Sequence, residues 1–136
     1  MRSRGITQLQ VPWAAWYRKE PLSLRFPAGW DVSVCRMQGG ADIGDSGIRA
    51  ALAEPIGAAP LREHAAGRNS AAILVDDLSR PTPAFRVLPY ILEELHAAGI
   101  DDDGITIIGA LAAHRPMTRD DFVKKVGAEI VDRYRV

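Results

Sequence analysis

The stretch between residues 71 and 108 constrains the fold most, because it is typical of a strand, a helix and a second strand. Residues 71–75 and 105–108 are short, unbroken apolar runs, as in parallel strands buried on both faces. Between them, apolar residues recur with the helical period of 3.6. They are Val87, Leu88, Ile91, Leu92 and Leu95. We expect Thr82 to cap this helix, Pro83 to occupy its first position and Gly99 to end it. The pattern predicts a right-handed, parallel βαβ unit.

The residues before this unit predict a small β-rich subregion. Residues 11–16 and 22–26 favour a β-hairpin, and residues 30–37 favour one more strand. A helix is expected from Asp45 or Ser46 to about Ala53, and a shorter one over residues 61–66. Residues 1–10 are expected to be disordered.

After the unit, the spacing of Thr118 and Asp121 predicts a capping box and a helix that ends at Gly127. A last helical segment is expected over residues 128–134. The predicted fold class is therefore α/β, with the β-rich subregion, the parallel βαβ core and C-terminal helices forming a single domain over residues 1–136.

The composition is that of a globular protein and excludes several classes of partner. Hydrophobic residues make up 47% of the 136 residues, and 17 basic residues balance 17 acidic ones. A neutral chain without long runs of like charge gives no reason to expect nucleic acid or a membrane surface as a partner. No apolar run approaches the ~20 residues that span a bilayer. The lone cysteine, Cys35, favours a reducing compartment, so we expect a cytoplasmic protein.

The first candidate site follows the first predicted parallel strand and has the sequence Asp-Asp-Leu-Ser-Arg-Pro-Thr-Pro, residues 76–83. In open α/β sheets ligands bind beyond the carboxyl ends of the strands. The N-terminus of a helix attracts anions, and Arg80 adds a planar, charged group that suits phosphate or carboxylate. The alternative is a plain turn in which the two aspartates serve as caps.

The second candidate site is the segment Ala-Ala-His-Arg-Pro-Met-Thr, residues 112–118, which follows the other parallel strand. It should therefore open on the same edge of the sheet. His114 can exchange protons near neutral pH. The alternatives are a surface role for His114 and a simple ion pair between Arg115 and Asp120 or Asp121. His64 and His96 are expected to be solvated, and no metal ligands are predicted.

The two segments together resemble the signature of the nickel-pincer lactate racemase family. The resemblance extends over roughly residues 20–136 and includes Ala-Glu-Pro-Ile-Gly at 53–57 and Leu-Pro-Tyr-Ile-Leu-Glu-Glu-Leu at 88–95. It implies an isomerase that racemises or epimerises a 2-hydroxy acid such as lactate. It also implies a nickel-pincer nucleotide, nickel pyridinium-3,5-bisthiocarboxylate mononucleotide, as the cofactor.

The resemblance also implies roles for individual residues. Asp77, Leu78, Ser79 and Arg80 would contact the cofactor, and Arg80 would in addition meet the substrate carboxylate. His114 would be one of two acid/base histidines and would remove the hydroxyl proton while the cofactor takes a hydride from the α-carbon. Re-reduction of the 2-keto acid on either face would then invert or restore the centre.

The chain also departs from the family. Ala112 and Ala113 stand where relatives usually have a glycine and a hydroxyl residue, and Ser79 stands where threonine is common. Members are much longer, and their cofactor-tethering lysine, nickel-ligating histidine and second acid/base histidine lie downstream. We therefore expect a truncated, cofactor-binding N-terminal half, inactive alone, that works with a C-terminal portion from the same or a separate chain. A homo-oligomer is compatible with the exposed edges of such a sheet. One alternative is a non-catalytic module that binds a phosphorylated, nucleotide-like ligand, and another is a purely structural remnant.

Overall fold

The computed structural model describes residues 7–14, 16–36 and 38–136. The chain divides into two compact units, Met1–Asp42 and Ile43–Val136, and each is described by itself below. The prediction that residues 1–136 behave as one domain stays a prediction, because compactness does not show whether the two units fold together.

The first unit contains an antiparallel pair of strands, β1 (Gln8–Val11) and β2 (Leu22–Arg25). The predicted pairing is confirmed, but β1 lies earlier than residues 11–16. The strand ends before Pro12, which has no N–H to donate to the ladder. The expectation of disorder over residues 1–10 is therefore wrong for Gln8–Gln10, where Gln8 Nε2 also donates to Ser23 Oγ at 2.7 Å. Residues 1–6 lie outside the described residues.

The third strand predicted for the first unit does not form over residues 30–36, and Met37 lies outside the described residues. Trp30 N instead donates to Pro27 O at 3.1 Å, which closes a turn. Val32 and Val34 are half-buried and their neighbours are exposed, as in a strand with one buried face. A strand also needs a hydrogen-bonded neighbour, and the described residues provide none for this segment.

The second unit is built on the predicted βαβ core. The strands β3 (Ala71–Asp76) and β4 (Ile105–Ala110) are parallel, in a register that runs from Ala71 opposite Ile105 to Asp76 opposite Ala110. Helix α3 (Ala84–Ala97) connects them and is followed by a 3-10 turn, Asp102–Gly104. Both the α/β class and the parallel pairing are confirmed.

Four further helices complete the unit: α1 (Gly44–Ala53), α2 (Leu61–Ala65), α4 (Arg119–Val126) and α5 (Ala128–Arg133). The capping box of α4 is confirmed: the Thr118 side chain accepts from the Asp121 N–H, and the Asp121 side chain accepts from the Thr118 N–H. Two predicted caps are wrong. Neither Asp45 nor Ser46 caps α1, whose N-cap is Ile43. Thr82 does not cap α3, because Pro83 occupies the N-cap position; the Thr82 hydroxyl donates to Asp76 Oδ2 at 2.8 Å.

The core of the second unit lies on one face of the two-stranded sheet. Its buried residues come from both strands, from the helices and from the segments that follow α3 and α5: Ala65, Val75, Ala84, Leu88, Leu92, Leu95, Ile100, Ile105, Ile107, Val126, Val131 and Tyr134. The opposite face is open, since Leu74 is 68% exposed and Ile108 is 44% exposed. The expectation that these strands are buried on both faces therefore holds for one face only. None of the described helices has the length and apolar character needed to cross a membrane.

Candidate functional site

The two segments singled out from the sequence meet at the carboxyl edge of the parallel sheet. Because Asp76 and Ala110 are opposite each other at the ends of β3 and β4, the loops that follow emerge side by side. His114 Nδ1 lies 2.5 Å from Asp77 Oδ2, within hydrogen-bond distance. The topology thus brings together two residues that are 37 positions apart in the sequence.

Asp77 is held in place by its own loop. Its Oδ1 accepts hydrogen bonds from the Ser79 N–H at 3.0 Å and from the Ser79 hydroxyl at 2.5 Å. The Ser79 hydroxyl and, after it, the His114 ring lower the pKa of Asp77 to about 2, although partial burial acts in the opposite direction. The carboxyl group is therefore a carboxylate at neutral pH.

This carboxylate determines how the His114 ring is used. An ionised carboxylate only accepts hydrogen bonds, so Nδ1 must be the donor, and in the neutral ring Nε2 then carries the lone pair. The side chain of His114 is 56% exposed, so the ring is accessible from solvent. A carboxylate that orients an imidazole and stabilises its protonated form is the arrangement that enzymes use to build a general base.

An open cavity of about 210 Å³ lies beside the pair. It is lined by Asp77, Leu78, Ser79, His114, Arg115, Met117 and Asp121. Arg115 contributes positive charge to this cavity, while its Nη1 donates to Asp121 Oδ2 at 2.7 Å. The hydrogen bond from Arg115 and that from the Thr118 N–H hold the pKa of Asp121 well below its ordinary value. Of the two partners considered for Arg115, Asp121 is the one that it contacts.

Arg80 occupies a different position from the other residues of its segment. Its side chain is exposed, and it does not line the cavity that Leu78 and Ser79 share with His114. Its backbone N–H donates to Asp77 O at 3.2 Å, which closes the turn. The implied contacts of Asp77, Leu78, Ser79 and Arg80 with a cofactor, and of Arg80 with a substrate, stay predictions.

Lys125 also belongs to this region, although neither candidate segment contains it. Its side chain is completely buried, and its Nζ lies 2.9 Å from Asp76 Oδ1. The same ammonium donates to the backbone oxygens of Asp77 at 3.2 Å and Arg80 at 3.1 Å. One signal was available: Lys125 lies four residues after Asp121 and so shares its helix face. Lysine is almost never fully buried unless it is paired, so this spacing alone does not distinguish a buried lysine from a solvated one.

The loop that carries His114 contains an unusual backbone conformation. Ala112 has a φ of 48°, in the left-handed region that favours glycine. This is one of the two positions at which the family resemblance led us to expect a glycine and a hydroxyl residue. The loop therefore adopts a conformation that favours glycine although it carries an alanine.

Neither of the other two histidines approaches this site. His64 is exposed on α2, as expected. His96 is only partly exposed and pairs with Asp102 at 2.8 Å, so the expectation that it is solvated is wrong. In the part of the chain that the structure describes, no group of three or more His, Cys, Asp or Glu side chains is placed to hold a metal ion.

Comparisons with known proteins identify relatives of this chain. The chain is 33% identical over 89 residues to the lactate racemase of Lactiplantibacillus plantarum, an alignment that covers 65% of this chain and 21% of that protein. It is 29% identical over 85 residues to the lactate racemase of Thermoanaerobacterium thermosaccharolyticum, covering 62% of this chain and 20% of that one. The chain thus spans about a fifth of the length of these curated relatives.

A solved structure shares the fold. The lactate racemase apoprotein from Thermoanaerobacterium thermosaccharolyticum superposes with a TM-score of 0.61 and 25% sequence identity, over 94% of this chain and 29% of that chain. The family model for the lactate racemase N-terminal domain matches residues 17–136, which include both loops of the candidate site. The chain therefore belongs to the lactate racemase N-terminal domain family.

Proposed function

We propose that this chain is the N-terminal, acid/base-bearing part of an enzyme that racemises or epimerises a 2-hydroxy acid. The observation that carries the proposal is the Asp77–His114 pair, in which a carboxylate holds Nδ1 at 2.5 Å beside an open cavity. Membership of the lactate racemase N-terminal domain family supports lactate, or a close relative of it, as the substrate.

His114 is the proposed catalytic residue. With Nδ1–H donated to Asp77, Nε2 takes the proton of the substrate hydroxyl as the α-carbon loses its hydrogen as hydride, which leaves a 2-keto acid. The imidazolium is stabilised by the adjacent carboxylate and returns the proton when the hydride comes back. Asp77 is a positioning residue in this scheme, because its carboxylate already accepts from Ser79 and pairs with His114.

The hydride chemistry is assigned to a nickel-pincer nucleotide, which when bound would accept the hydride and return it to either face of the carbon. Residues 77–80 fit part of such a group. The exposed guanidinium of Arg80 suits a phosphate or carboxylate, whereas the Asp77 carboxylate suits a hydroxyl and would repel an anion. Since the described residues include no metal-binding cluster, we propose that any nickel ligands come from elsewhere.

We further propose that a C-terminal portion, in the same or a separate chain, completes the enzyme. The open face of the β3–β4 sheet supports this. Parallel sheets are normally covered on both faces, yet Leu74 is 68% exposed and Ile108 is 44% exposed. A second copy of the chain is the other candidate to cover this face. We also propose a cytoplasmic location, on the basis of the single cysteine.

The test is racemisation of D- and L-lactate by this chain with the nickel-pincer nucleotide, alone and together with a C-terminal racemase portion. We expect activity only with that portion. His114→Ala should abolish it and leave cofactor retention intact, because the ring acts on the substrate proton. His64→Ala, which removes an exposed histidine on α2, is the matched control and should change nothing.

Two outcomes would contradict the proposal. Unchanged turnover in His114→Ala would remove this residue from the mechanism. Retention of the nucleotide without turnover of any 2-hydroxy acid, even with the C-terminal portion present, would favour the alternative of a non-catalytic binding module.

A further inference from the structure

The most unusual side chain near the site is Lys125, because it is a charged group that is fully removed from solvent. Its exposed fraction is 0%, whereas the neighbouring Lys124 is only partly buried. An ammonium group that loses its water must be compensated by hydrogen bonds or by an opposite charge. The arrangement of its acceptors therefore indicates what the residue holds in place.

Three acceptors of this ammonium belong to the end of β3 and the turn that follows it. They are the Asp77 carbonyl at 3.2 Å, the Arg80 carbonyl at 3.1 Å and Asp76 Oδ1 at 2.9 Å. A lysine ammonium has three N–H donors, so it can bind several acceptors of one segment at once. The two carbonyls lie at the two ends of the turn over residues 77–80, so a single cation fixes the span of that turn.

Asp76 extends the same network. Its other carboxylate oxygen accepts from the Thr82 hydroxyl at 2.8 Å. Partial burial acts to raise the pKa of Asp76, but the hydrogen bonds from Lys125 and Thr82 outweigh it, so the pKa lies below its ordinary value. The carboxylate is therefore charged and connects the buried cation to the far end of the loop.

The position of Lys125 on α4 links the two halves of the site. The first turn of α4 anchors the loop that carries His114, through the capping box and the bond from Arg115 to Asp121. The last turn of the same helix anchors the loop that carries Asp77, through Lys125. One short helix thus sets the distance between the two loops whose side chains meet at 2.5 Å.

We propose that Lys125 is a positioning residue: its buried ammonium holds the turn over residues 77–80 in the shape that places the Asp77 carboxylate on His114 Nδ1. Through this contact Lys125 determines which nitrogen of His114 is available as the base. The inference deepens the proposed function and rests on it for its catalytic meaning. The geometric claim itself can be tested without turnover.

The test uses Lys125→Met in the full chain, because methionine keeps much of the length of the side chain and removes the charge. Two quantities are measured by NMR: the tautomer of His114 from its ring nitrogen shifts, and the pKa of the Asp77 carboxyl from its carbon shift. In the unsubstituted chain we expect the Nδ1–H tautomer and an Asp77 pKa of about 2. In the variant we expect a mixture of tautomers and an Asp77 pKa that moves towards its ordinary value of 3.8.

Lys124→Met is the matched control, since it removes the same charge from the adjacent position of α4. It should leave the tautomer and the Asp77 pKa unchanged. The tautomer also separates positioning from simple charge loss: removal of a nearby cation raises the pKa of a carboxyl, but it does not move the proton between the two ring nitrogens.

Lys125→Gln serves as a second variant, because its amide can still donate to part of the acceptor set if the methionine variant does not fold. A folded variant at position 125 that keeps both the Nδ1–H tautomer and the low Asp77 pKa would overturn the proposal. So would loss of folding in both variants while Lys124→Met stays folded, since Lys125 would then be required by the fold itself. These readouts do not depend on racemisation, so a failed activity assay and a failed positioning role remain distinguishable.

Discussion

The backbone at Ala112 leads to a prediction about stability in the loop that carries His114. With a φ of 48°, this alanine occupies the left-handed region, where its Cβ crowds the following carbonyl oxygen. That conformation costs an L-residue roughly 1–2 kcal/mol, whereas glycine adopts it without this penalty. Glycine in turn loses about 0.5–1 kcal/mol more conformational entropy on folding. The two effects oppose each other, and the strain is the larger.

Ala112→Gly should therefore raise the free energy of unfolding by about 0–1.5 kcal/mol, the difference between the two ranges, with a central value of roughly 0.75 kcal/mol. Ala113→Gly is the matched control. Among the non-glycine residues that the structure describes, only Ala14 and Ala112 have a positive φ, so Ala113 has no such strain to relieve. The free energy of unfolding of the Ala113→Gly variant should fall by about 0.5–1 kcal/mol, because only the entropy cost of glycine remains.

The measurement is urea denaturation followed by circular dichroism. We expect the midpoint to rise for Ala112→Gly and to fall for Ala113→Gly, with slopes that match the unsubstituted chain. Equal losses of stability in both variants would refute the reasoning, because they would show that the positive φ at residue 112 carries no strain. A changed dependence of the unfolding free energy on urea concentration would indicate an altered denatured state, and the shift in midpoint would then not measure the strain at residue 112.

Two further predictions concern acid stability and the core. The Asp77 carboxyl has a pKa lowered to about 2 from 3.8, so its contribution to stability is fully present above pH 3.8 and is lost as the pH falls through about 2. The difference in unfolding free energy between the unsubstituted chain and Asp77→Asn should shrink over that window; a difference that stays constant down to pH 2 would contradict it. Leu92→Ala should lower the free energy of unfolding, measured by urea denaturation, by about 2–5 kcal/mol. Leu92 is only 4% exposed, so the substitution leaves a cavity in the core. Leu74→Ala, on the open face of the sheet, is the control and should change the free energy of unfolding by no more than about 0.5 kcal/mol. Equal losses of stability at the two positions would show that this face is covered in solution.

Local patterns in the sequence were sufficient to predict much of the secondary structure of the second unit. The period of Leu88, Leu92 and Leu95 predicted α3 and its buried face, and the capping box of Thr118 and Asp121 predicted the start of α4. These signals act between residues at most a few positions apart, so they can be read without knowledge of the fold. They were weaker in the first unit, where alternation of Val32 and Val34 suggested a strand that finds no partner among the described residues.

The candidate site was predictable only in part. Two loops after two parallel strands must lie at one edge of the sheet, so the closeness of residues 76–83 and 112–118 followed from the chain order. Their family resemblance drew attention to Asp77, Arg80 and His114. The structure leaves Arg80 exposed and outside the cavity lining, and it places Asp77 against His114.

The sequence by itself thus determined the βαβ unit, the ends of α4 and the edge of the sheet at which the candidate residues collect. Only the tertiary structure decided that Asp77 orients His114 and that Lys125 is buried beneath the turn. The contacts concerned join residues 37 and 48 positions apart. Hydrogen bonds over such separations depend on how the helices pack on the sheet, and packing depends on all the side chains in the core together. A lysine in a helix has the same local pattern whether it is solvated or buried, so only its surroundings in the folded chain distinguish the two.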